Sequence, residues 1–197
     1  MSNIQSVLKL TMSNKISQNT FISFLPFAVV TTFLSFLIFV VVQQNIRLST
    51  NDQIAQIAED TAGRIAPQNS IPSDFPTVKI DIARSLSTYV IVYDANKKII
   101  GSTGSLDGNN PDIPVGVLNA AHSDENRVTW QPRKGIRSAI VAVYFKGKSE
   151  GFVVAGKSLR EVEKREELLQ TQVGIGWLFT LFISYITTHL ALKIRRH

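Results

Sequence analysis

The chain of 197 residues carries a net charge of +6, is 44% hydrophobic and contains no cysteine. That average would suit an ordinary globular domain, and the missing cysteines exclude a disulfide framework and any thiolate metal or redox site. The average conceals a split, because apolar residues crowd into two stretches and the excess positive charge lies in the two tails.

In chain order, residues 1–20 form a tail with Lys9, Lys15 and no acidic residue. Residues 21–42, FISFLPFAVVTTFLSFLIFVVV, carry no formal charge and are long enough to cross a hydrocarbon core of about 30 Å at about 1.5 Å per residue. Pro26 falls in the first turns of this run, where a missing N–H costs least. A cleaved signal peptide is the rival reading, but the run exceeds the usual ~7–15 apolar residues and VVQQNIRLS offers no small-x-small cleavage site. The stretch is therefore read as an uncleaved anchor.

Beyond it, Ile46, Thr50, Ile54, Ile57, Thr61 and Ile65 recur at three- or four-residue steps, so a helix is expected to continue out of the apolar run. PQNSIPSDFP, with three prolines in ten residues, ends it. DIARSL is expected as a helical turn, TYVIVYD as a strand, DANK as a turn and KIIGSTG as the antiparallel partner. Gly101, Gly104 and Gly108 with NNPDIP read as a loop, VGVLNAAH as a short helix and RVTWQ as a strand. RSAIVAVYF and GFVVAG, joined by the polar turn KGKSE, form a second hairpin.

GKSLREVEKREELLQ then reads as a helix, with Ser158 at its cap and Glu161 completing a capping box. Glu161 and Arg165 make a favourable i,i+4 pair, Arg160 and Lys164 a repulsive one. Leu159, Val162, Glu166, Leu169 and Val173 form a stripe at alternating three- and four-residue steps, broken once by a charge. No proline separates this helix from residues 173–192, VGIGWLFTLFISYITTHLAL, the second candidate span. His189, four residues before Lys193, is expected near the membrane interface. Residues 193–197 close the chain with Lys193, Arg195 and Arg196.

The tails contain no acidic residue, whereas all 15 acidic residues lie in the near-neutral loop 43–172. The positive-inside bias then puts both termini in the cytoplasm and the loop outside. The basic balance reports orientation, and nucleic acid is not an expected partner. A loop of this length can hold a core of its own. Hairpin strands bracketed by helices predict an α+β fold with an antiparallel sheet.

That order resembles the extracytoplasmic Cache (PAS-like) sensor region of bacterial two-span receptors, especially sensor histidine kinases. The likeness lies in a long helix leaving the first span, the hairpin YVIVYDANKKIIGSTG, and EGFVVAGKSLREVEKREELL leading into the second. It covers residues 43–172 and rests on order and hydrophobicity. The resemblance implies a small ligand held against the central sheet by aromatic and charged side chains, for which Arg84, Tyr89, Trp130, Arg137 and Tyr144 are the candidates. Arg137 and Tyr144 fall on opposite faces of one strand and cannot both line a pocket if that strand is regular. The competing reading makes each Tyr or Trp a core residue with its polar tip at an edge. Arg133, Lys134 and Arg137 either favour an anionic ligand or lipid head groups, or are simply solvated.

The resemblance also makes Leu159, Val162, Glu166 and Leu169 part of a signal-transmission helix, with a plain membrane tether as the alternative. Pairing with the helix after the first span, or with a second protomer in a homodimer, would bury the stripe. The chain departs from the family by ending at ALKIRRH, without a phospho-accepting His region or ATP-binding glycine motifs. It is expected not to be a kinase by itself, and to act through a separate signalling output protein or as a truncated or split receptor.

Other chemistry reads weakly. GFVVAGKS matches the phosphate-loop letters, but Phe152, Val153, Val154 and Ala155 are strand residues that leave no open cradle of N–H groups. His122, His189 and His197 lack metal-ligand spacing, and GSTGS is not a nucleophile elbow. No metal or cofactor is expected, and the chain is not expected to be an enzyme. The leading expectation is an inner-membrane sensor of a small molecule. The alternative is a membrane-anchored interaction or assembly module.

Overall fold

The computed structural model describes the backbone of residues 2–68 and 70–195 and the side chains of 19–68 and 70–195. The expectations for Lys9, Lys15, Arg196 and His197 fall outside the described side chains. Chain contacts divide the molecule into two compact units, Gln44–Arg165 and the pair of segments Met1–Gln43 with Glu166–His197.

Two long helices contribute to both units: α1, Ser2–Ile65, and α3, Arg160–Ile194. Both contain stretches long and apolar enough to cross a membrane. In the two-segment unit these stretches form an antiparallel helix pair. Thr20 meets His189 at 3.5 Å, the Phe24 and Tyr185 rings meet edge to face at 5.6 Å, and Trp177 Nε1 donates to Thr32 Oγ1 at 2.9 Å. The partners advance along one helix by the number of residues that they retreat along the other, in steps of four, so all three contacts belong to one register. Four-residue steps keep contacts on one helix face.

The other unit is α+β. The last turns of α1 are followed by β1 (Ile80–Asp81), β2 (Tyr89–Asp94), β3 (Ile99–Ser102), β4 (Gly104–Ser105), the short helix α2 (Val115–Ala120), β5 (Asn126–Arg133), β6 (Ile136–Lys146) and β7 (Glu150–Ser158). Five strands make an antiparallel sheet in the order β3-β2-β7-β6-β5. β7 is central and buried through Gly151–Gly156, which explains its unbroken apolar run. Edge strand β5 tolerates Pro132 because one side of an edge needs no ladder bond.

Three local expectations change. Asp81 is paired before the helical turn of DIARSL begins, since Ile80 and Asp81 lie in parallel with Gly104 and Ser105, where Gly104 was expected in a loop. A turn then follows, in which the Arg84 and Ser85 N–H groups donate to Asp81 O. The capping box does not form as expected, because Ser158 ends β7 and its Oγ accepts from the Arg160 N–H at 3.4 Å, while Glu161 reaches Arg165 at 3.3 Å.

Each sheet face is covered by a different element, as the two-residue strand period requires. One face packs Val92, Val141, Val153 and Ala155 against Ile54, Ala58, Ala62 and Ile65 of α1; Ile54, Ile65 and the partly buried Ile57 belong to the stripe anticipated from spacing, whereas Ala58 and Ala62 do not. The other gathers Tyr89, Ile91, Tyr93, Ile140, Ala142, Phe152 and Val154 beneath Ile113, Leu118 and Ala121 from the segment around α2. The β6–β7 turn is fastened to the end of α1, where Ala66 O accepts from the Lys148 N–H at 2.8 Å.

Candidate functional site

On the face covered by α2, alternation along β2 turns Tyr89, Ile91 and Tyr93 inward together. Tyr89 is 1% exposed, and its ring crosses the central strand at Gly156, its register partner. Its Oη and the Oγ of fully buried Ser138 influence each other, yet neither meets hydrogen-bond geometry with any atom of the described residues. Tyr93 Oη lies near the Ile113 backbone, which opposes the rise of its pKa, but also falls short of hydrogen-bond geometry. Burial pushes both phenols up to about 12, so both remain neutral donors at any ordinary pH. Buried hydroxyls without partners are uncommon in folded proteins.

Trp130 closes the cluster from β5 and also borders an open cleft of about 490 Å³, walled by Asp107, Asn109, Asn110, Asp112 and Gln131. Tyr144 lies half-buried against the same cluster. It stacks on His122 with centroids 4.3 Å apart and donates from Oη to Glu150 at 2.6 Å, a bond that raises its phenol pKa.

The structure thus brings Tyr89, Trp130 and Tyr144 onto one face and places the two arginines elsewhere. Arg84 is in the turn after β1, with its side chain 90% exposed and its carbonyl accepting from Arg160 Nη2 at 2.6 Å. Arg137 pairs with Glu163 at 2.5 Å, and its carbonyl accepts from the Leu159 N–H at 2.9 Å. Both arginines therefore hold the first turns of α3. The basic cluster is not a free patch, since Arg133 also pairs with Asp107 at 2.9 Å. Leu159 packs on the α1-side core and Val162 is buried, while Glu166 and Leu169 are half-buried in the two-segment unit.

Sequence reading did not single out Glu163 or Ser138, and it took Ser158 only as a helix cap. One cross-strand row joins the two serines to the cleft: Trp130 on β5 stands opposite Ser138 on β6, and Ser138 opposite Ser158 on β7. Ser158 then accepts from the start of α3. A serine among apolar strand residues was the available signal for Ser138. For Glu163 there was none, because its partner is 26 residues away.

The phosphate-loop letters of GFVVAGKS lie in β7, with Phe152, Val153, Val154 and Ala155 hydrogen-bonded into the sheet interior. Among the described residues, no three His, Asp or Glu side chains are grouped so as to hold a metal ion.

The fold defines an α+β protein with an antiparallel five-stranded sheet and two helices able to span a membrane. No family model, curated protein or solved structure matches the chain.

Proposed function

We propose that the chain is a membrane-anchored sensor of a small molecule, of the Cache (PAS-like) kind, resembling the input half of a sensor histidine kinase. It would lie in a bacterial cytoplasmic membrane with both termini inside and the sheet unit outside. The observation that carries this reading is the row Trp130, Ser138, Ser158, which runs from the cleft beneath residues 106–112 to the first turn of α3. A ligand against Trp130 that shifts β5 relative to β6 would alter the register bonds that hold Ser158 and Leu159. Helix α3 runs unbroken from Arg160 through the second apolar stretch, so such a shift has a continuous helix to act on. The output would pass to a separate signalling protein or a second protomer, with no catalytic step in this chain.

The test is a thermal-shift screen of the full chain in phospholipid nanodiscs against amino acids, carboxylates and related metabolites. Stabilisation by one class, reduced in Trp130→Phe but kept in Lys134→Gln, supports sensing through the cleft. A complete screen without a shift would favour the interaction module.

A further inference from the structure

A second cavity lies on the opposite side of the sheet, where the last turns of α1, the segment 72–80 and the start of β2 meet. It encloses about 330 Å³, at the small end of the roughly 300–1,000 Å³ range of ligand pockets. Its walls are largely apolar, with Ile65, Phe75, Val78 and Val90 prominent, and no acidic side chain lines it. Gly101 lets segment 71–75 close down over β3, because a Cβ there would stand 2.7 Å from Ile71 Cδ1.

Two polar groups in the wall have capacity to spare. Thr88 is half-buried and its hydroxyl makes no hydrogen bond among the described residues, whereas Thr61 and Thr103 use theirs on Ile57 O and Val90 O. Arg64 spends one Nη on Asp74 at 2.6 Å, leaving the rest of a five-donor fork. The adjoining helix end does not repel an anion strongly, because the carbonyls of Ala62, Arg64, Ile65 and Ala66 already accept hydrogen bonds.

We infer that this cavity binds a small apolar carboxylate, its hydrocarbon part against Phe75, Val78 and Val90 and its carboxylate on the free edge of Arg64. The site is independent of the sensing cleft, which lies at the loop containing Asp107 and Asp112. Apolar walls supply the burial, and one guanidinium selects the anion over an amine.

The test is saturation-transfer NMR with hexanoate on the full chain in nanodiscs, with empty discs as reference. Hexanoate is expected to receive saturation from the protein and hexylamine is not. Arg64→Gln, at an exposed side chain, is expected to weaken hexanoate binding roughly tenfold. Val78→Trp, placing a bulky ring at a position 78% exposed on the cavity wall, is expected to abolish it. Circular dichroism checks that both variants remain folded. Hexanoate transfer no greater than with empty discs overturns the inference. So does binding unaffected by both variants but lost in Tyr144→Ala, which would move the site to the other face. Equal binding of hexanamide would overturn the assignment of the carboxylate to Arg64.

Discussion

The Tyr89 ring lies over the backbone of Gly156, so that a Cβ at 156 would stand 2.3 Å from the Tyr89 Cζ. Both residues are in the sheet interior, paired across β2 and β7, and the ring has no room to yield. Gly156→Ala is therefore expected to cost about 1–3 kcal/mol, the usual range for overpacking a filled core. In a Tyr89→Leu background the same substitution should cost less than about 0.5 kcal/mol, because the clashing atoms are gone. Denaturant unfolding of the four variants measures this coupling, and equal costs in both backgrounds would dismiss the contact as its origin.

The buried phenols make stability sensitive to alkali. Folding raises Tyr89 and Tyr93 from 10.0 to about 12 by desolvation, so the folded state holds its protons more tightly than the unfolded chain. The contribution is complete below pH 10 and is lost as pH climbs through about 12. Unfolding free energies measured across that interval should fall steeply for the parent chain and less steeply for Tyr89→Phe or Tyr93→Phe. A slope unchanged in both variants would assign the alkaline transition to other groups.

Much of the fold was legible because it rests on local periodicity. Ile54, Ile57 and Ile65 of the expected stripe do lie on the face of α1 that packs on the sheet, and alternation in YVIVYD separated Tyr89, Ile91 and Tyr93 from Val92. What was hidden depends on pairings distant in sequence. Ile80 and Asp81 become a strand only because Gly104 and Ser105 lie beside them. Arg137 drew a ligand-binding reading through the family resemblance and its basic neighbours Arg133 and Lys134, and its carboxylate partner comes from a helix that begins 23 residues later. Ser158 was recognised as a helix start, but its place at the end of a row from Trp130 requires the strand order of the whole sheet.

The Arg137–Glu163 pair is expected to contribute little to global stability despite its short contact. Its side chains are 48% and 42% exposed, and ion pairs of that exposure are worth about 0–1 kcal/mol. Arg137→Ala and Glu163→Ala should each lower stability by no more than about 1 kcal/mol, and the exchanged pair Arg137→Glu with Glu163→Arg should recover part of the loss. Helix attachment is read separately, by hydrogen exchange at Leu159 and Glu163, whose N–H groups bond to Arg137 O and Leu159 O. Faster exchange there in either single variant, with β2 unchanged, is the expected pattern. Uniform acceleration over the whole sheet would instead make the pair a general stabiliser.

The register of the two apolar helix segments can be tested in a membrane because the chain has no cysteine to interfere. Thr20 with His189, Phe24 with Tyr185 and Thr32 with Trp177 leave one four-residue step unoccupied, at Ala28 and Leu181, both half-buried. Cysteines introduced at Ala28 and Leu181 should be joined within one chain by a short bismaleimide. Cysteines at Val30 and Leu178, which are 57% and 60% exposed, should not. Polar contacts such as Trp177 to Thr32 add only about 0.6 kcal/mol on average between membrane helices, so Thr32→Val should leave the Ala28–Leu181 cross-link largely intact. Loss of that link with efficient joining at Val30 and Leu178 would require one helix to be rotated about its axis. The shared register of the three observed contacts would then be wrong.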